Sequence, residues 1–231
     1  MRFAWDGDTN DVVNAFNDGR FLLFHRDHGW SGGWGDPGFT TSDIDDLTNS
    51  GKPSVVYSVN CASGLFDNET NGGNVNGLYW AEKLLRYDNG GAVGIIGDTR
   101  NSPTWANSAL SRGLFDATWT GVVPEGGATS IRRLGDILNY GKSYLAGQVG
   151  VAQTAGSVSQ TSANDDIILY HVYGDPTMQM WTSNPWFIRL PKLYEIVKFD
   201  PTIWELRYPI EGVQVTLLQE GAPVARGIVR N

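Results

Sequence analysis

The 231 residues are 41% hydrophobic and 18% charged, with 29 Gly, 9 Trp and a formal charge of −8, a composition that suits a globular protein with a packed core and many tight turns. The acidic balance, with no basic stripe and no helix-turn-helix, zinc-finger or RNA-binding signature, excludes nucleic acid as an expected partner. No apolar run reaches the length of a membrane-spanning helix, so membrane insertion is not expected, and the single cysteine, Cys61, excludes an intramolecular disulfide and a multi-cysteine zinc site.

Residues 11–18 have the pattern of the end of a short helix, stopped by Asp18-Gly19. The apolar run at 21–27 predicts a buried strand ending at His28-Gly29, followed by a Gly-rich loop over 30–38. Ser42 is placed to cap a short helix reaching Leu47. Residues 54–60 predict a second apolar strand that leads straight into Cys61. A polar, Gly-rich loop covers 68–73, and helical periodicity runs from Val75 to Tyr87 with Leu78, Ala81, Leu84 and Leu85 as its buried stripe. A third strand at 92–96 ends at Gly97-Asp98. Helices are predicted at 104–118, 130–147 and 163–171, the last carrying His171 near its end, and a short strand at 177–181. After Asn184-Pro185 strand patterns take over, at 194–208, 213–218 and 224–229, with a turn at Glu220-Gly221-Ala222-Pro223. The expected architecture is therefore an α/β domain over residues 1–184, a mainly parallel sheet flanked by helices, followed by a small β appendage over residues 185–231.

In such sheets, sites lie beyond the carboxyl ends of the strands. His28, Cys61 and Asp98 all fall there. A thiolate is the nucleophile that attacks a peptide carbonyl, and a nearby imidazole can both draw the thiol proton and deliver it to the leaving amine. The oxyanion needs aimed N–H donors, which the Gly29 and Cys61 amides can supply, since Gly29 has no Cβ to keep substrate away. His25 and His28 form a His-x2-His pair, but three residues apart on a strand they point to opposite faces, which favours a buried, hydrogen-bonded His25 over a metal site. Asp36, Asp43, Asp45 and Asp46 lack EF-hand spacing and fit a solvated loop and helix start.

Arg26-Asp27-His28-Gly29 and Asn60-Cys61-Ala62-Ser63-Gly64-Leu65-Phe66-Asp67 end successive strands, with His28 and Cys61 33 residues apart. These blocks, with residues 80–97, Trp105 and the late His-Val-Tyr-Gly-Asp at 171–175, resemble the gingipain family of cysteine peptidases, of the caspase- and legumain-like clan, over residues 18–182. The resemblance implies a caspase-like fold, a His28–Cys61 dyad, an oxyanion hole from the Gly29 and Cys61 amides, and an immunoglobulin-like domain beginning in the appendage. It also implies an acidic residue, carried upstream of the 27 residues that precede His28, to orient the histidine. Arg26, two residues before His28 and expected on its strand face, falls where lysine-selective relatives line the pocket for the residue before the scissile bond. Trp105 matches an aromatic wall of that pocket, and Ser108 stands about where such relatives have an acid. An arginine there repels lysine and arginine, so the pocket suits an acidic or neutral side chain; alternatively Arg26 pairs with a carboxylate such as Asp98. The resemblance further suggests a structural calcium ion on Glu82 and the Phe66 carbonyl, with no cofactor needed for the chemistry. Its expected partner is a protein or peptide substrate, and its expected location secreted or at the cell surface. A sortase-like transpeptidase of a bacterial secretion system, or a non-catalytic adhesin or scaffold on a truncated peptidase fold, are the alternatives. The oligomeric state stays open.

Overall fold

The computed structural model describes residues 6–67, 78–123, 130–153, 156–181, 214–220 and 222–228. Two compact units divide the chain, Met1–Pro185 and Trp186–Asn231.

The first unit opens with α1 (Thr9–Asn17). Asp8 accepts from the amides of Asn10 and Asp11, and Asp11 returns a bond to the Asp8 amide at 3.0 Å, a reciprocal cap that satisfies the helix's free N–H groups. Val12 and Phe16 form its buried stripe. β1 (Leu22–His25) follows, then three two-residue strands, β2 (Gly29–Trp30), β3 (Gly33–Trp34) and β4 (Phe39–Thr40). β5 (Ser54–Ser58) and β6 (Ala92–Asp98) flank α2 (Trp80–Arg86) in sequence. α3 (Thr104–Thr118), α4 (Leu134–Gly147), the short β7 (Ala152–Gln153) and β8 (Gly156–Ser157), and α5 (Gln160–Leu169) lead to β9 (Tyr170–Gly174).

The main sheet has the order β1-β5-β6-β9. The first three strands are parallel and β9 is antiparallel to β6. β5 is buried at every position, because both faces of this central strand are covered. Val55 and Tyr57 point into a core with Leu110, Leu114, Ile137 and Tyr170. Val56 points into the opposite core with Phe16, Trp34, Trp80 and Leu84. None of the described helices is long and apolar enough to cross a membrane.

Several expectations need correction. Residues 30–38 are not a plain loop: β2, β3 and β4 form an antiparallel meander that buries Trp34. Residues 43–46 make a single 3-10 turn in place of a capped helix. Ser42 makes no side-chain cap, its hydroxyl meets Thr40 Oγ1 at 2.8 Å, and the Asp43 carboxylate takes the Thr40 amide and hydroxyl. Leu78 is exposed and precedes α2, and Trp80 joins Ala81 and Leu84 in the buried stripe, because the larger ring fills the gap against Trp34 and Phe39. The helix predicted over 163–171 ends at Leu169. His171 therefore lies on β9, opposite Gly97, and no helix-end argument applies to it. Pairing with β6 overrides local helical periodicity there. In place of a strand at 177–181 there is an isolated bridge between Arg133 and Gln179.

In the second unit, β10 (Gln214–Gln219) and β11 (Ala222–Ile228) form an antiparallel hairpin. Its register shifts between Leu217 and Leu218, where Leu218 faces Pro223, a residue with no N–H to donate. Ala222 and Pro223 belong to β11 rather than to the turn. The strand pattern at 194–208, and with it the immunoglobulin-like reading, lies outside the described residues.

Candidate active site

Parallel pairing sets His25 opposite Ser58, and the Val59 amide donates to the His25 carbonyl at 2.9 Å. The residues that follow both strands therefore emerge side by side. Gly29 packs so closely on the other loop that a Cβ there would lie 2.5 Å from Asn60 Oδ1 and 3.0 Å from Cys61 O. The Gly35 amide holds the His28 carbonyl at 2.9 Å, so the β2–β4 meander fixes the histidine's backbone. The His28 ring is exposed, with Nε2 4.0 Å from Asp27 Oδ1, and the same oxygen accepts from the His28 amide at 2.6 Å. Cys61 is half-buried, and its Sγ donates to the Ser102 carbonyl at 3.8 Å. Ala62, next in the chain, has φ of 55°, so the cysteine sits on a turn that reverses sharply. Among the described residues no hydrogen bond joins the His28 ring to Cys61.

Beneath this pair lies a buried polar knot. The His25 ring stacks on Trp34 with centroids 4.5 Å apart and planes 4° from parallel. Its Nδ1 accepts from Asn60 Nδ2 at 2.8 Å, and its Nε2 meets the Asp36 carbonyl at 3.3 Å. One neutral tautomer satisfies both contacts. Burial holds the imidazole down at about 4, against the raising effect of the Asp36 carbonyl. Asn60 Nδ2 and Trp34 Nε1 both donate to Ser58 Oγ, which lies 2.7 Å from Ser63 Oγ. His25 is thus committed to shaping the cysteine loop, while His28 faces solvent.

β1 ends at His25, so strand alternation does not carry Arg26 and His28 to one face. Arg26 reaches the first turn of α3, where Nη2 donates to the Thr104 carbonyl at 2.6 Å and to Ser108 Oγ at 3.1 Å. Trp105, 40% exposed, stands beside them, and Gly156 lies against its indole, where a Cβ would come within 2.5 Å of the ring. Arg26 makes no ion pair with Asp98 among the described residues; its guanidinium is taken by α3. Sequence patterns pass over the layer between this pocket and Cys61. Ser102 Oγ donates to the Asn60 carbonyl at 2.6 Å, Asn107 Nδ2 donates to Ser102 Oγ at 2.7 Å, and Tyr170 OH donates to Asn107 Oδ1 at 2.6 Å. Asp98 and Asp166 are wholly buried nearby. A polar residue in an otherwise apolar run, such as Asp98 after Ile95-Ile96-Gly97, is the sequence signal for such a layer.

Glu82 and Phe66, the residues suggested for calcium, lie on α2 and in the loop after Cys61. Glu82 is ion-paired with Arg86 at 2.6 Å, Phe66 is exposed, and among the described residues no three His, Cys, Asp or Glu side chains converge on a metal-sized site. The acidic run 43–46 is structural: besides the Asp43 bonds, Asp45 pairs with Lys83 at 2.7 Å.

The model of peptidase family C25 matches residues 3–181. The chain belongs to peptidase family C25. It is 24% identical over 229 residues to gingipain R2 of Porphyromonas gingivalis (strain ATCC BAA-308 / W83), covering 96% of this chain and 28% of that protein. It is 31% identical over 105 residues to gingipain R1 of Porphyromonas gingivalis, covering 42% of this chain and 9% of that protein. The fold is similar to the Arg specific cysteine proteinase gingipain R, with a TM-score of 0.67 at 20% identity over 99% of this chain and 49% of that one. The complex of Porphyromonas gingivalis RgpB pro- and mature domains gives a TM-score of 0.70 at 21% identity over 99% of this chain and 50% of that chain. This C25 chain thus spans under a third of the gingipains it matches and half of the solved chains, all of which share its α/β fold.

Proposed function

We propose that this chain carries the catalytic site of a C25 cysteine endopeptidase, with Cys61 as nucleophile and His28 as acid and base. The observation that carries the reading is the packing of Gly29 on Asn60 and Cys61, which places both blocks at one rim of the sheet. His28 takes the Cys61 thiol proton as sulfur bonds to the scissile carbonyl carbon and the carbonyl electron pair moves onto oxygen. The Gly29 and Cys61 amides hold that oxyanion. Collapse breaks the C–N bond, and His28 passes its proton to the departing amine. Water, deprotonated by His28, then attacks the thioester and the thiolate leaves. A sulfur that donates to the Ser102 carbonyl, and an exposed histidine ring, suit this sequence.

Arg26, held by Thr104 and Ser108 beside the exposed Trp105, is the proposed floor of the pocket for the residue before the scissile bond, which is acidic or neutral. A calcium ion on Glu82 and the Phe66 carbonyl would share the carboxylate with Arg86, and it enters no step here. A secreted or cell-surface location follows from the family and belongs to the same proposal.

Titration with an acyloxymethyl-ketone peptide, read by mass on Cys61, tests the reading. Stoichiometric labelling that is lost in His28→Ala supports it. Slow labelling at equal rates in both proteins rejects the dyad and favours a scaffold role.

A further inference from the structure

The geometry points to Asp166, together with Asp98, as the residues that set the charge of the Arg26 pocket and so the strength of its preference for an acidic side chain. The inference rests on the peptidase reading above and narrows its substrate class.

Along β6, Ile95 and Ile96 enter opposite cores, so Asp98, two residues after Ile96, shares the face covered by α3, α4 and α5. Asp166 reaches that layer from α5, one turn before Tyr170, whose amide donates to the Asp166 carbonyl. Arg26 enters the same side from the end of β1. Both carboxyl groups are wholly buried, and no oxygen of either completes a hydrogen bond among the described residues. Arg26 Nε is likewise buried without a hydrogen-bond partner. A guanidinium with a spare donor and two carboxyls with spare acceptors therefore share one buried layer, where charge acts strongly.

Burial raises Asp98 to about 7, against the pull of the Ser102 hydroxyl and the Ala62 and Ser63 amides, which lie near enough to act on it. Burial, then the charges of Asp98 and Asp165, raise Asp166 to about 8, and Arg26 opposes them. On β9, Tyr170 faces the pair, while Tyr173 lies on the opposite face and feels Asp98 alone of the two; burial keeps both neutral. From α3, the neutral Asn107 and Ser108 reach this layer, bonded to Tyr170 and Arg26. A guanidinium supplies a fixed positive charge over the range in which carboxyls titrate. With both carboxyls protonated the layer carries one positive charge; with one ionised it is neutral; with both ionised it is negative. An acidic side chain beside Trp105 thus meets a cation at mildly acid pH and an anion at alkaline pH.

The test compares labelling rates of Cys61 by two acyloxymethyl-ketone probes that differ only in Asp or Asn at the recognised position, between about pH 6 and about pH 9, a window set by buried carboxyls and clear of the probe's own acid. Ionisations of Cys61 and His28 act on both probes and cancel in the rate ratio. The Asp-to-Asn ratio falls about tenfold or more with rising pH in the wild type, the scale of a unit-charge change at a partly buried site. In Asp166→Asn the fall is smaller and the ratio stays higher at the alkaline end; Asp98→Asn gives the same test should the first variant misfold. A ratio independent of pH, or one with the same profile in both variants, overturns the assignment and leaves the peptidase reading intact. No labelling by either probe overturns both.

Discussion

An alanine at position 29 would bring its Cβ within 2.5 Å of Asn60 Oδ1 and 2.6 Å of Asn60 Cγ, inside a knot already fixed by His25, Ser58 and Trp34. Gly29→Ala therefore moves the cysteine loop as well as the proposed oxyanion donor. We expect a loss of about 1–3 kcal/mol in urea unfolding, the usual cost of overpacking, and at least a tenfold slower labelling of Cys61. Wild-type labelling with wild-type stability would show that the loops are not held by this contact. His25 gives a pH signature. Its folded value of about 4 lies below the ordinary 6.5, so the unfolded chain binds a proton that the native state refuses. Stability is full above about pH 6.5 and falls as pH drops toward 4, by up to about 3 kcal/mol. His25→Asn should flatten that limb in urea melts across pH, and an unchanged slope would mean that another group is responsible. The two blocks that carry His28 and Cys61 were legible in the sequence because they are local. The task of His25 was only half legible: its burial followed from strand alternation, whereas its bond to Asn60 links residues 35 positions apart.

At the scale of elements, α3 and α4 cross on two glycines. A Cβ on Gly113 would lie 2.8 Å from Tyr144 Cβ and 2.9 Å from Gly141 Cα, and one on Gly141 would lie 2.8 Å from Leu114 Cδ2. An alanine in an open helix position gains up to about 1 kcal/mol over glycine. Here Gly113→Ala should instead cost about 1–3 kcal/mol, because two backbones must separate. A stability gain in thermal or urea unfolding would mean that the helices have room to shift. α3 itself was legible over 104–118, and the strands at 54–60 and 92–96 were legible as apolar runs flanked by turn residues. Tyr170–Gly174 was not, because its helical look is local and its strand pairing with β6 is not. The meander over 29–40 was hidden for a similar reason: its strands are two residues long, and only the burial of Trp34 against His25 and Trp80 makes them worth forming.

For the first unit as a whole, β1 is an outer strand of the sheet, and Phe24 on it and Phe21 just before it are each about two-fifths exposed. They meet Trp119 and Phe115 edge-on, at 6.1 and 5.0 Å. An aromatic rim along a strand edge that no described residue pairs invites pairing with another chain. If this edge drives association, Phe24→Lys lowers any concentration-dependent light scattering while leaving the melting temperature within a few degrees of wild type; unchanged scattering would show that the edge drives none.

By itself the sequence determined the α/β class of the first unit, the parallel delivery of His28 and Cys61 to one rim, and membership of a peptidase family. Those follow from periodicity, strand-end position and short ordered blocks, all of which are local. Tertiary structure alone decided that Arg26 turns to α3 rather than to Asp98, that Glu82 is held by Arg86, and that Asp98 and Asp166 share a buried layer. Burial and charge coupling depend on which distant segments pack together, and no pattern along the chain encodes the sum of those contacts.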